Sequence, residues 1–100
     1  MISEILDVII EELEELKGEE FTLSDMDNTI KEIIDAVGDH KNSIFDGETK
    51  EYIEKGEYSY SVWADEEEIE TKDICVYFEV LEENEDNLEV IIKVTDIELL

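Results

Sequence analysis

Residues 74–81 read ICVYFEVL, and this stretch decides the fold. Its large apolar residues recur at every second position, so Ile74, Val76, Phe78 and Val80 fall on one face of a β-strand. The stretches 58–64 (YSYSVWA) and 88–95 (LEVIIKVT) alternate in the same way on either side of it. The connections 65–72 and 82–87 are short enough for antiparallel hairpins, whereas a parallel crossover needs about a dozen residues or more. The carboxyl-terminal half therefore predicts a three-stranded antiparallel meander.

Apolar residues at helical spacing fill the amino-terminal half. They predict a first helix over Ser3–Lys17, with Ser3 as its cap and Gly18 as a left-handed stop. A second helix follows the cap Thr22 and closes at Gly38. Weaker signals permit a short third helix over Glu48–Lys55, with Tyr52 and Ile53 facing inward. The two apolar stripes consist of Ile2, Ile5, Leu6, Ile9, Leu13 and Leu16, and of Met26, Ile30, Ile33, Ile34 and Val37.

These elements predict an α+β fold built as a single domain over residues 1–100. Two amino-terminal helices, with the short third one, pack on one face of the three-stranded antiparallel meander. The helical half spans about residues 1–56 and the sheet half about residues 57–100. Neither half is expected to be stable alone, because each buries its apolar face against the other.

Charge dominates the composition. The chain has 32 Asp and Glu residues against seven lysines and no arginine, a net charge of −25. Without a basic stripe, direct binding to nucleic acid or to an anionic membrane surface is not expected. The longest apolar run, at residues 74–78, has five residues, far short of the roughly 20 that a membrane span needs. Because the amino terminus is acidic and Cys75 is the only cysteine, we expect a cytoplasmic protein.

The residues offer little for catalysis. His40 is the one imidazole, placed in a polar loop, and Cys75 lies in a strand without a neighbouring base. A calcium loop starting at Asp25 fails, since Ile30 and Ala36 occupy its glycine and glutamate positions. We therefore expect no enzyme activity, no cofactor and no metal site.

Acidic residues concentrate in the two predicted connections of the meander. A row of carboxylates on a rigid sheet resembles the phosphates that line a nucleic-acid groove. Solvated hairpin loops explain the same clusters equally well. The candidate contacts in the first connection are Asp65, Glu66, Glu67, Glu68 and Glu70, and those in the second are Glu82, Glu83, Glu85 and Asp86.

The outer face of the meander adds apolar groups to this charge. By alternation it carries Trp63, Tyr77, Leu81, Ile91 and Cys75. Mixed aromatic and acidic surfaces are typical of protein-binding faces, so Trp63 and Tyr77 join the candidate contacts. Alternatively, the third helix or the tail at residues 97–100 covers this face.

In size, charge and helix-helix-meander layout the chain resembles the small acidic DNA-mimic inhibitors of phages and mobile elements. These include anti-CRISPR proteins, anti-restriction proteins and inhibitors of uracil-DNA glycosylase, whose acidic and apolar insertion loop is loosely matched by EEFTL at residues 19–23. The resemblance implies a basic partner that handles nucleic acid, and a Cas effector, with its basic channels, is the leading hypothesis. A phage-encoded inhibitor would act in the host cytoplasm. An immunity or antitoxin protein that neutralises a nuclease, and a non-enzymatic structural dimer, are the alternatives.

Overall fold

A computed structural model of the protein describes residues 2–63 and 71–100. Among these described residues, three α-helices lie in the first part of the chain: α1 Ile2–Glu14, α2 Leu23–Asp35 and α3 Thr49–Lys55. Within the described residues, none of the helices has the length and apolarity needed to cross a bilayer.

In the part of the chain that the structure describes, five strands form one antiparallel sheet. They are β1 Glu20–Thr22, β2 Asp39–His40, β3 Glu57–Trp63, β4 Thr71–Glu82 and β5 Ile91–Leu99. Their order across the sheet is β1-β5-β4-β3-β2. The α+β class and the central meander β3-β4-β5 are confirmed, whereas the three-stranded sheet is wrong because β1 and β2 extend both edges.

The two edge strands have no sequence pattern of their own. They are three and two residues long, and each exists only because the chain passes beside the meander. Phe21 of β1 pairs with Ile92, and His40 of β2 pairs with Val62. Beyond β2, the side-chain amide of Asn42 completes the edge of β3: it donates to the Ser59 carbonyl (3.0 Å) and accepts from the Ser61 N–H (2.8 Å). The Asn42 amide thus bonds the Ser59 carbonyl and the Ser61 N–H, with which the backbone of an added strand would otherwise pair.

The helices differ from their predicted ends. α1 begins at Ile2, so Ser3 lies in its first turn and is not its cap. Gly18 does adopt the predicted left-handed conformation (φ 85°). The Thr22 cap is confirmed, since its hydroxyl accepts a 3.2 Å hydrogen bond from the Asp25 N–H. α2 stops at Asp35, three residues before the predicted end, which leaves Val37 exposed.

One core joins the helices to the inner face of the sheet. Leu13 of α1 and Ile30 of α2 pack with Tyr60, Val76 and Ile92 of the strands, all fully buried. Tyr52 and Ile53 of α3 pack on the same core, as predicted. The alternation of 88–95 predicts Leu88 on the same inner face as Val90, and this is wrong: Leu88 is exposed, because residues 87–89 form a 3₁₀ turn before β5.

Neither element suggested as a cover lies on the outer face of the sheet. α3 packs with the inner core, and residues 97–99 continue β5. Asp73, Glu79 and Leu81 of β4 are accordingly exposed on the outer side.

Candidate partner-binding face

The strand register places carboxylates from all five strands on the outer face of the sheet. Outward residues alternate with buried ones: Glu57 precedes the buried Tyr58, and Glu79 follows the buried Phe78. Residues paired directly across strands share a face. We call this set the acidic face: Glu20 of β1, Asp39 of β2, Glu57 of β3, Asp73 and Glu79 of β4, and Asp96 and Glu98 of β5.

Lysine counterbalances only part of this charge. Lys93 lies between Glu20 and Glu79 in one row that crosses three strands. Lys17, from the turn after α1, forms a 3.2 Å ion pair with Asp96. The Ile97 backbone N–H, followed by Lys17, lowers the pKa of the Asp96 carboxyl, so Asp96 is charged at neutral pH. Lys41 follows Asp39 by two positions and its N–H donates to the Ser61 carbonyl, so it lies on the same face. Seven carboxylates against these three lysines leave the described part of the face negative.

The centre of the acidic face is less polar. Tyr77 lies between Glu57 and Asp96 in the register, and its hydroxyl donates a 2.7 Å hydrogen bond to Glu98 Oε2. The thiol of Cys75 lies 3.5 Å from Glu57 Oε2 and is 2% exposed. The Tyr77 ring is thus a partly exposed aromatic group ringed by acids, while Cys75 is buried at the same place.

Both central groups are neutral at physiological pH. The hydrogen bond to Glu98 is the main cause that raises the pKa of Tyr77. Burial is the main cause that raises the pKa of the Cys75 thiol, and the Glu57 carboxylate adds to it. Since the thiolate is the reactive form, Cys75 is a poor nucleophile here.

The candidate residues of the second connection are exposed beside this face. Glu82 ends β4, and Glu83, Glu85 and Asp86 follow in the turn. Asp86 has a structural contact, because its Oδ1 accepts a 3.0 Å hydrogen bond from the Leu88 N–H and caps the 3₁₀ turn. Because β4 is twelve residues long, its two ends lie about 36 Å apart at about 3.3 Å per residue.

Several candidate contacts lie outside the described residues. These are Asp65, Glu66, Glu67, Glu68 and Glu70, together with the side chain of Trp63. The Trp63 backbone pairs with Asp39 and Thr71 at the end of β3.

Sequence reasoning missed most of the acidic face. The alternation itself carried the signal for Glu57, Asp73 and Glu79, which precede or follow core residues of the strands. Asp96 and Glu98 were harder to place, because β5 has one extra residue between the pairs Phe78–Val94 and Tyr77–Asp96. This irregularity reverses the parity of the strand, so even-numbered residues turn from the inner face to the outer one.

His40 is not the loop histidine that the sequence suggested, because it forms β2. Its N–H donates to Asp39 Oδ1 (2.9 Å) and Asp35 Oδ1 (3.2 Å), and its ring Nδ1 lies 2.7 Å from the same Asp35 oxygen. Ligand atoms of these three residues lie within 4.8 Å of one another. The hydrogen bonds already account for the arrangement, which joins the end of α2 to the sheet edge.

Asp27 is the one buried charged residue that the described core contains. A buried carboxylate is a common feature of active sites, but each acceptor position here has a partner. Asp27 accepts hydrogen bonds from Ser43, Tyr60 and the Ile44 N–H, and pairs with Lys31 at 3.0 Å. The arrangement fixes the loop before α3 and leaves no oxygen directed at a substrate.

Comparison with protein-family models, with curated proteins and with solved structures found no match to this chain.

Proposed function

We propose that this protein is a non-enzymatic inhibitor that binds a basic, nucleic-acid-handling protein through its acidic face and excludes the nucleic acid. The observation that carries the proposal is the register, which aligns seven carboxylates from five strands on a face that α3 and the tail leave uncovered.

The geometry of a sheet suits mimicry of a phosphate array. Outward side chains two residues apart on a strand are about 6.6 Å apart, and neighbouring strands lie about 4.8 Å apart. DNA carries one charge per about 3.4 Å along each of its strands. The hydrogen-bonded sheet fixes the backbone that carries these charges, so binding orders fewer backbone groups than an acidic tail would require.

The centre of the face supplies an anchor as well as charge. Tyr77 is half-buried, and its hydroxyl is oriented by Glu98. Aromatic residues surrounded by polar groups are frequent energetic centres of interfaces, while the surrounding charges accelerate encounter. The same face disfavours a dimer formed face to face, because like charges would meet.

A Cas effector is our first choice of partner, since its channels hold nucleic acid through positive charge. The inhibitor would then act in the cytoplasm of a bacterial host. A nuclease toxin neutralised by an immunity protein presents the same chemistry, and the captured partner distinguishes the two.

The test begins with capture of the partner from host lysate at low salt, followed by its purification. The protein should displace labelled double-stranded DNA or guide RNA from this partner, and should do so less well as salt rises. Glu20→Lys, Glu79→Lys and Glu98→Lys together should weaken binding at least tenfold. The matched control, Glu11→Lys, Glu12→Lys and Glu15→Lys, makes the same change in net charge on the exposed side of α1 and the turn after it, and should have a much smaller effect.

Two results would contradict the proposal. Simultaneous binding of nucleic acid and this protein would exclude mimicry. Equal weakening by both triple variants would show that net charge alone matters. The separate variant Glu66→Lys, Glu67→Lys and Glu68→Lys tests the contacts predicted in the first connection.

A further inference from the structure

A groove lies between α3 and the turn that joins β4 to β5. Its volume is about 440 Å³, within the range of small-molecule sites. Half-buried Ile53 and the 3%-exposed Val90 form its apolar part. Glu54 contributes from α3, while Glu83 and Glu85 contribute from the turn.

Local hydrogen bonds hold the turn side of the groove in place. Asn84 Oδ1 accepts a 2.9 Å bond from the Asp86 N–H, and Asp86 Oδ1 accepts one from the Leu88 N–H. The Val90 carbonyl accepts a 2.8 Å bond from the Leu23 N–H, which ties the end of the turn to α2. The groove therefore has a wall that exists before any ligand arrives.

The three carboxylates at this groove are exposed and have no ion pair with any described residue. Lys50 also lines the groove and stands four positions before Glu54 on α3, yet the two form no ion pair. By contrast, the equivalent pair one residue further along, Glu51 and Lys55, is formed at 3.2 Å. The groove thus combines an apolar surface with a net negative charge, since three carboxylates face one lysine.

We propose that this groove binds an arginine side chain of the basic partner. The aliphatic stem of arginine would pack on Ile53 and Val90, and its guanidinium would bond to the carboxylates of Glu54, Glu83 and Glu85. A guanidinium has five donors in a planar fork and can satisfy several acceptors at once, whereas an ammonium is a compact and strongly hydrated charge. The choice of a protein arginine rests on the proposed function, but binding of a guanidinium can be measured without the partner.

The probe is n-butylguanidinium, which carries the arginine headgroup on an apolar stem. Titrated into the full-length, isotope-labelled protein, it should shift the methyl resonances of Ile53 and Val90 in a saturable manner. Guanidinium without a stem and butylammonium without the fork should each bind at least fivefold more weakly. Glu54→Gln, Glu83→Gln and Glu85→Gln together should weaken n-butylguanidinium binding at least fivefold, while Glu11→Gln, Glu12→Gln and Glu15→Gln should leave it within twofold.

Each other outcome overturns the inference. Shifts spread evenly over the acidic surface, or equal losses in both triple variants, would indicate diffuse charge attraction. Equal binding of butylammonium would remove the assignment to arginine. These results concern the groove alone: displacement of nucleic acid by the acidic face can fail while n-butylguanidinium still binds, and the reverse.

Discussion

The hydroxyl of Tyr60 donates a 2.7 Å hydrogen bond to Oδ1 of Asp27, which lies 33 residues earlier in the chain. This bond crosses from β3 to α2 inside the core, where Tyr60 is fully buried and Asp27 is 1% exposed. Burial is the main cause that raises the pKa of Tyr60, and the Asp27 carboxylate adds to it. The hydroxyl therefore stays protonated and always donates.

Asp27→Asn should destabilise the protein by about 2–3 kcal/mol, because the amide would direct an N–H at groups that are themselves donors. The donor left unpaired would be the Ile44 N–H on one side of the amide or Lys31 on the other, since neither can accept a hydrogen bond. Urea denaturation measures the change. Tyr60→Phe is the milder comparison, with a cost of about 1 kcal/mol, since Asp27 keeps its other partners. A smaller loss for Asp27→Asn than for Tyr60→Phe would contradict this account.

The stabilising effect of Asp27 should vanish in acid. Burial acts to raise the pKa of Asp27, but hydrogen bonds from Ser43, Tyr60 and Lys31 outweigh it and hold the pKa below its ordinary value of 3.8. A lowered folded-state pKa gives stability that is present above the unfolded-state pKa and is lost as pH falls through the folded one. The stability difference between wild type and Asp27→Asn should stay constant from pH 7 to about 5 and shrink below about 4. A difference that is as large at pH 2 as at pH 7 would show that charge is not its source.

The alternation of 74–81 and its neighbouring segments sufficed to predict the α+β class and the meander. Apolar residues recur at every second position in a strand and at every third or fourth position in a helix, and this spacing separates the two. The edge strands at 20–22 and 39–40 could not be predicted, since such short segments form strands only through tertiary contact. The Asp27 network was equally invisible, because its members Ser43 and Tyr60 lie 16 and 33 residues away.

For the candidate site, the decisive information was which residues of each strand point to the outer face of the sheet. It placed Tyr77 on the outer face correctly, while the irregularity in β5 hid Asp96 and Glu98. The sequence directed attention to acids in the connections, where they are dense. In the structure, the strands align acids that are sparse along the chain, such as Glu20 and Glu79 on either side of Lys93.

Two isoleucines of α2 test which side of this helix faces the core. Ile30 is fully buried, whereas Ile33 is half-buried at the margin of the core. Ile30→Ala should lower the free energy of unfolding by about 2–5 kcal/mol. Ile33→Ala should lower it clearly less, because the Ile33 side chain buries less apolar surface and its removal leaves a smaller cavity. Denaturant midpoints compare the two directly. A larger loss at Ile33 would mean that α2 is rotated from the position described.

Moderate salt should stabilise the protein. With a net charge of −25, repulsion among carboxylates opposes compaction, and ions screen it over a Debye length of about 10 Å at 0.1 M. The melting temperature should rise as NaCl is increased from 0 to about 0.5 M, which is about five times the concentration that gives this Debye length. A falling curve would show that ion pairs such as Lys17–Asp96 contribute more than the repulsion.

Alanine substitutions at two glycines that follow helices compare the cost of a positive φ alone with the cost of a positive φ plus a steric clash. Gly18 and Gly56 both have positive φ, 85° and 71°, which a side chain disfavours by about 1–2 kcal/mol. At Gly18 an added Cβ would meet nothing within 4 Å, so Gly18→Ala should cost only that amount. At Gly56 the Cβ would lie 2.8 Å from the Phe78 carbonyl oxygen, on a backbone already held by the 2.8 Å bond from the Phe78 N–H to the Gly56 carbonyl. Gly56→Ala should therefore lower the free energy of unfolding by about 1–3 kcal/mol more than Gly18→Ala, as overpacked sites do, because β4 must shift to relieve the contact. Chemical denaturation of both variants gives the difference, and equal losses would show that β4 yields at no cost.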